Sequence, residues 1–518
     1  MRTSNHIVKF FSWFVSILLC CLLIVILAVN FALDRPLSFA IEQATNYLYR
    51  EGDGPGRQFA GILIDAGVVR DWANPDNRSR LLAPYPVLRS AASDAVTYPY
   101  QSYTANGHPL GLKPDVFLPP ASARRVQVAS AEALVTAIRA ALPGDIITMA
   151  PGHYQFNGHS IPVQAAGGSE SPIYVRAERF GSVLIELNAL EGFHIMAPFW
   201  VFENLRIQGT CASDSNCEHA FHVVGKGKSF TLRNSEVFDF NAPVKVNMQT
   251  IGDNDYFADK GLLEYNSFYN EMPRNTGNPV TLLNIDAADE WMVRGNYIAD
   301  FAKTGGDHVS YGAFMKGNAR GGVFERNLVI CEHRLPADEG IRLGLSFGGG
   351  GTAARYCKGQ NCSVEFSQGI MRNNIIMNCS RDVGIYLNRA ALSEVYHNLL
   401  YNSLGIDVRF ETSSALITNN IVSGRIKNRN GGSSEGAANI VVENCLGAAR
   451  VSCELAEIYH SPDQADFRLR NLENPIWQTV EQQVQLVEDF CGRPAPEELN
   501  PGPIQYANGL DCLVTPAE

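Results

Sequence analysis

The sequence predicts an all-β solenoid with one capping helix at its start and one transmembrane helix ahead of it. Three observations point there: an uncharged apolar run at 10–33, a helix–turn–strand opening near 130, and a short asparagine-bearing strand that recurs along the rest of the chain.

The first run, FFSWFVSILLCCLLIVILAVNFAL, spans Phe10 to Leu33 without a charge. As a helix rising about 1.5 Å per residue it covers about 36 Å, enough for a hydrocarbon core of about 30 Å. Arg2 and Lys9 precede it and Asp34 follows, which places residues 1–9 in the cytoplasm and the remainder outside. A cleaved signal would be shorter and end in a small-x-small site, which Ala28, Asn30 and Ala32 match poorly, so an uncleaved anchor is expected. Residues 34–125 form a mixed juxtamembrane segment in which GDGPGR (53–58) and LPPASARR (118–125) carry loop chemistry.

At Ser130 the pattern changes. Ser130 is a helix N-cap, Leu134, Ile138 and Leu142 make an apolar face, and Pro143-Gly144 stops the helix before the strand IITM. Such a helix suits the lid of an elongated core. Then FENLRIQG, LRNSEVFDF, LEYNSFYNE, VRGNYIADF, FERNLVICE, MRNNIIMNC, VYHNLLYNS and ITNNIVSGR follow. Their key residues are Asn204, Asn234, Asn266, Asn296, Asn327, Asn374, Asn398 and Asn420, at steps of 30, 32, 30, 31, 47, 24 and 22. Strand-type self-similarity at this pitch means coils that bury their inward faces only by stacking. Asparagine tolerates the left-handed conformation of a tight turn, and equivalent amides can bond from coil to coil. The 47-residue step holds Gly348–Gly351, Cys357 and Cys362, so one coil carries an insertion. A two-sheet sandwich would place strands every 8–12 residues without this asparagine phase. The solenoid is expected over 126–472, and 473–518 as a disulfide-closed end cover.

Composition limits the function. There are 42 Lys+Arg against 53 Asp+Glu, a net charge of −11, which argues against general binding to nucleic acid. Any anionic partner needs basic groups gathered locally. Cys20 and Cys21 lie in the apolar run. The other ten cysteines suit an oxidising compartment, and their spacings suggest 211–217, 357–362, 445–453 and 491–512, leaving 331 with 379. Zinc is a rival for Cys211, Cys217, His219 and His222, but Cys-x5-Cys followed by His-x2-His matches no standard finger spacing.

The helix–PGD–strand opening at 130–150, the phrase SPIYVRAERFGSVLIELNALEGFHI and the asparagine-phased coils resemble right-handed parallel β-helix proteins of the pectin-lyase type, nearest the chondroitinase B and alginate lyase group. The resemblance covers roughly 126–470. It implies a right-handed parallel β-helix, a scaffold that carries lyases, hydrolases, epimerases and non-catalytic adhesins alike.

A polar stripe is expected beside the asparagines: His222, Lys245, Asp286, Lys316, Asn388 and Arg409, with Arg389 adjacent. Equivalent positions on stacked strands lie about 4.8 Å apart. Two lysines and an arginine on one line make a basic track fit for a uronate-rich, acidic polysaccharide; a solvated outer face is the plainer alternative. The segment GGDHVSYGAFMKGNARGGVFERN (305–327) is densest in chemistry. By resemblance, Asn296, Asp300 and Asp307 are similar to the family's calcium cluster and Lys316 to its base. The family's arginine-bearing Leu-Arg-His-Gly-like phrase has no counterpart in LGLSFGGGG, where only Arg342 is near, and the Glu-x-Glu pair is missing. β-Elimination needs the uronate charge neutralised, a base, and an acid for the leaving oxygen. Lys245, Arg409 or Arg342 could neutralise charge, Lys316 could act as base, and His308 or Tyr311 could move the second proton. The expected function is thus a membrane-anchored lyase of an acidic polysaccharide. A uronate epimerase, a hydrolase using Asp286 and Asp307, and a non-catalytic glycan-binding or envelope-assembly protein remain alternatives on the same scaffold.

Overall fold

The computed structural model describes residues 124–335, 340–443, 445–470, 486, 488–497 and 499–505, with short strands at 103–105, 108–109 and 514–516. They belong to one compact unit, Pro86–Thr304 with Val309–Glu518; Gly305–His308 falls outside it. The expected anchor at 10–33 lies outside the described residues. Among those described, no helix is long and apolar enough to cross a membrane.

Three parallel sheets of 12, 11 and 10 strands carry the fold, and the chain visits them in rotation. Trp200–Glu203, Arg206–Gly209 and His219–Val224 lie in the first, second and third sheet, and the next coil repeats the order with Thr231–Arg233, Glu236–Phe238 and Val244–Asn247. This is a parallel β-helix, the fold implied by the resemblance. Crossovers between parallel strands are right-handed in nearly all sheets, and these long sheets fit that hand. Alternate residues point inward and stack: Phe193 lies 5.3 Å from Phe221, and Phe347 lies 4.6 Å from Phe366, ring to ring. Each such fully buried side chain contributes about 1.5–3 kcal/mol of apolar burial.

The helix Ala131–Arg139 meets the strands of the first coil and buries Leu134 and Ile138 against them. Ser130 caps it, its hydroxyl accepting from the Ala133 amide at 3.2 Å. Leu142, expected on its apolar face, is 57% exposed because the helix ends at Arg139.

The asparagine ladder exists, shifted at its start. From Asn266 onward each residue gives both its backbone amide and its side-chain amide to the Oδ1 of the next, through 296, 327, 374, 398, 420 and 439, at 2.9–3.1 Å. Asn204 and Asn234 are not on this line. They hold the preceding position, which turns with positive φ in each coil from Asn204 on (61° and 46° at these two), and Ser235 begins the ladder by accepting from Leu205. The ladder fills the sharp bend between the first and second sheets.

The outer faces of the sheets differ. On the first, Arg176, Glu203, Arg233, Glu264, Arg294, Glu325 and Arg372 stand in register, alternating in sign. Glu203 is paired with Arg176 at 2.6 Å and Arg233 at 2.7 Å, Glu264 with Arg294 at 2.7 Å, and Glu325 with Arg372 at 2.6 Å. The second is polar in its first coils, where Arg206 pairs with Glu236, and apolar beyond them, where Tyr269, Tyr297, Leu328 and Ile375 join Leu455, Tyr459, Phe467, Phe490 and Ile504 in one buried cluster. The third is polar.

The described residues of the C-terminal segment, expected as an end cover, lie along the flank. Glu488 pairs with Arg326 at 2.6 Å, its carbonyl accepts from Asn373, and Gly502 bonds both His397 and Asn419. Tyr103–Ala105 pairs with His108–Pro109 on one side and Val514–Pro516 on the other in a small antiparallel sheet. Disulfides join Cys211–Cys217, Cys331–Cys379, Cys357–Cys362 and Cys445–Cys453. Cys491 is also disulfide-bonded; its expected partner Cys512 lies outside the described residues.

Candidate functional site

On the third sheet each strand alternates core and surface. In Val280–Asp286, Leu283 and Ile285 face inward, and Asn284 and Asp286 face outward. The expected stripe is present on this outer face as two neighbouring rows. One runs His194, His222, Lys245, Asn284, Phe314, Ser346, Tyr386 and Asp407. The other, two residues further along each strand, pairs Asp286 with Lys316 and Asn388 with Arg409 and Arg429. Lys245 therefore aligns with Asn284 and not with Asp286, but the two rows point the same way and their side chains meet.

The meeting point is a carboxylate held between two lysines. Lys245 Nζ donates to Asp286 and, at 2.6 Å, to Asn284 Oδ1. Lys316 Nζ stands 3.8 Å from Asp286 Oδ1, 4.4 Å from the centre of the Phe314 ring, and donates to the Gly350 carbonyl at 3.2 Å. Burial lowers the Lys245 pKa; Asp286 opposes that and Lys316 adds to it. Burial alone would raise Asp286, but the two lysines outweigh it and hold the carboxyl below its usual range. Asp286 Oδ1 is buried and accepts no hydrogen bond among the described residues.

Beyond Lys316 the row meets Gly348, whose φ is 72° and whose added Cβ would fall 1.8 Å from the Asn388 carbonyl oxygen. Only glycine fits there, and the backbone of Gly349 and Gly350 lies against both Lys316 and Asn388. The Tyr386 hydroxyl accepts from Asn388 Nδ2 and from Arg409, each at 3.1 Å, which leaves its own hydrogen for an acceptor elsewhere. Burial raises the Tyr386 pKa, and Arg409 opposes that. Asn388 Oδ1 and Arg409 Nε are buried without a hydrogen-bond partner among the described residues. Arg409 and Arg389 lie 4.7 and 4.8 Å from the Phe410 ring.

The long insertion rises beside Lys316. Glu365 accepts from the Gly349 and Gly350 amides at 2.8 Å, and Lys358 pairs with Asp259 and Asp289, also at 2.8 Å. These bonds fix the glycine run that supplies the Lys316 acceptor. Tyr311 lies on the strand of Lys316, its ring edge-on to Phe314 at 5.5 Å.

Other expected residues are engaged elsewhere. Arg342 is buried and donates to the Leu335 carbonyl at 2.8 Å, four residues before the polar row on its strand. Asn296 is a ladder residue, its amide bonded to Leu263 and Asn327. Asp300 Oδ1 accepts the backbone amides of His333, Arg334 and Leu335 at 2.9–3.0 Å and so builds a turn. Asp307 and His308 belong to the Gly305–His308 stretch outside this unit, where His308 donates its amide to Gly305 with φ 55°. Asn296 and Asp300 are thus committed to the frame, and the expected calcium cluster does not fit these residues.

Among the described residues, the group of three that could hold a metal is Glu191, His194 and His222. His194 and His222 stack at 5.2 Å, and Glu191 Oε1 lies 2.8 Å from His222 Nδ1. The His222 hydrogen bond holds Glu191 below its usual pKa, and burial lowers His194. Neighbouring His219 is pushed down to about 3, chiefly by burial. Reasoning from sequence missed Glu191, His194, Asn284 and Tyr386. Their signal is the outward position on each third-sheet strand, legible only once the register is known.

No family model matches the sequence, and no curated protein matches it. Among solved structures the chain is similar to pectate lyase Pel9A, at 13% identity and TM-score 0.46, over 74% of this chain and 97% of that one. It is similar to the PL6 family polysaccharide lyase Pedsa3628 from Pseudopedobacter saltans, at 15% identity and TM-score 0.35, over 67% and 96%. A rhamnogalacturonan lyase is similar at 13% identity and TM-score 0.41, over 59% and 82%. These are likenesses of scaffold, and no residue role is carried over from them.

Proposed function

We propose that the chain is an extracytoplasmic polysaccharide lyase, tethered through 10–33, that cleaves a uronate-containing polysaccharide by β-elimination. The observation that carries this reading is a set of buried polar atoms without a hydrogen-bond partner among the described residues, all on the outer face that bears Lys316: Asp286 Oδ1, Asn388 Oδ1 and Arg409 Nε. Buried polar atoms are normally satisfied, so three on one face suit a polar ligand. Arg409 neutralises the uronate carboxylate, which acidifies the adjacent carbon. Lys316 Nζ takes that carbon's proton as general base, the electron pair forms the ring double bond, and the glycosidic carbon–oxygen bond breaks. Tyr386 gives the leaving oxygen its proton.

The test is a panel of uronate polymers with ultraviolet detection of the unsaturated product. The wild-type chain is expected to release it, and Lys316→Ala to lower the rate about 10²–10⁴-fold while still retaining the polymer. An unchanged rate in Lys316→Ala rejects the assigned base. A second reading, a glycan-binding protein without catalysis, is favoured by the ion pairing of Lys245 with Asp286. Tight retention of polymer with no product on any member of the panel selects it.

A further inference from the structure

We propose that Glu191, His194 and His222 form a binding site for a divalent transition metal of the zinc class, one strand before Lys245 on the outer face of the third sheet. This goes beyond the lyase reading and does not depend on it.

The geometry comes from the register. His194 and His222 are direct partners on adjacent parallel strands, so their rings stack, 5.2 Å apart and 10° from parallel. Glu191, three residues before His194 on the same strand, reaches both: one oxygen lies 2.8 Å from His222 Nδ1 and the other 3.9 Å from His194 Nδ1. The three donor atoms lie within 4.8 Å of one another, half-buried, so small side-chain rotations close them on one ion.

The outer contact favours the same conclusion. His222 Nε2 lies 3.0 Å from Asn247 Oδ1. Without an ion the ring hydrogen-bonds to Glu191 through Nδ1; with Nε2–H donating to Asn247 Oδ1 instead, the Nδ1 lone pair would be free to bind a metal. An outer oxygen that fixes the tautomer is the usual companion of a metal-bound histidine. A hydrogen-bonded His–Glu pair needs only one histidine; a second in register, within reach of the same carboxylate, suits a metal. Two imidazole nitrogens and one carboxylate oxygen make a zinc-type set with a fourth position open, whereas calcium takes oxygen ligands. That open position faces the same side as Lys245, where an oxygen of a bound sugar chain is a fitting ligand.

The experiment uses the full chain, purified without a histidine tag and stripped with chelator. Zinc is titrated by calorimetry, and cobalt(II) is added as a coloured substitute. One zinc per chain is expected, with a tetrahedral cobalt spectrum. His194→Ala, His222→Ala and Glu191→Gln should each weaken binding at least tenfold and remove the spectrum, and Asn247→Ala should weaken it about 10–100-fold. His153→Ala, a side chain exposed elsewhere, should change nothing. Circular dichroism checks that each protein is folded, and Glu191→Gln, which keeps the side-chain shape, covers the case in which a histidine variant does not fold. Folded wild type that takes up no zinc, or uptake that all of these variants leave intact, overturns the proposal.

Discussion

Asn374 shows what one side chain does in this molecule. Its Oδ1 accepts the backbone and side-chain amides of Asn327, and its Nδ2 donates to the Phe324 carbonyl and to Asn398. Asn374→Ala orphans buried groups in two neighbouring coils at once. It is expected to cost about 2–4 kcal/mol in denaturant unfolding. The repeat that reveals this residue also explains where reading it from sequence slips. Asn373–Asn374 and Asn419–Asn420 place asparagine both at the positive-φ position and on the ladder. Residue identity alone cannot tell the two apart, so Asn204 and Asn234 look like ladder members while Asn439 escapes notice. The single expected stripe puts Lys245 level with Asp286, whereas the register sets it level with Asn284, because strand sequences alone do not fix how neighbouring third-sheet strands are offset. The face survived that slip because a shift of two preserves the side of a strand. Tyr386 and Glu191 had no repeated neighbour to mark them.

At the scale of the element, the C-terminal segment is tied to the flank through a histidine. His397 donates from Nδ1 to the Gly502 carbonyl and lies 3.1 Å from Asn419 Nδ2. Burial lowers its pKa to about 4, partly offset by its bonds to the Gly502 and Asn500 backbone. The folded pKa therefore lies below the unfolded value of about 6.5, and protonation favours release. Stability from this contact is complete above about pH 6.5 and is lost as pH falls toward 4. Limited proteolysis is expected to cut near 486–505 increasingly over that range in the wild type. In His397→Ala cutting should be faster throughout and should lack this pH dependence. The segment's position followed from no sequence pattern, since it is fixed by single contacts to four separate coils.

For the whole molecule, the solenoid itself was legible, because stacking requires the repeat that the sequence displays. The sign alternation on the first sheet was not, because its partners stand 27 to 47 residues apart and meet only when the coils are registered. Glu264 is almost wholly buried between Arg233 and Arg294. Glu264→Gln is expected to cost about 1–3 kcal/mol, read as a lowered thermal midpoint, because Arg294 loses its counter-ion while Arg233 keeps Glu203. The same row limits how such a chain can change its length. Duplicating or deleting a single winding between Arg176 and Arg372 would bring two cations or two anions face to face, while a change of two windings restores the order. Growth of this stretch over generations is therefore confined to even steps.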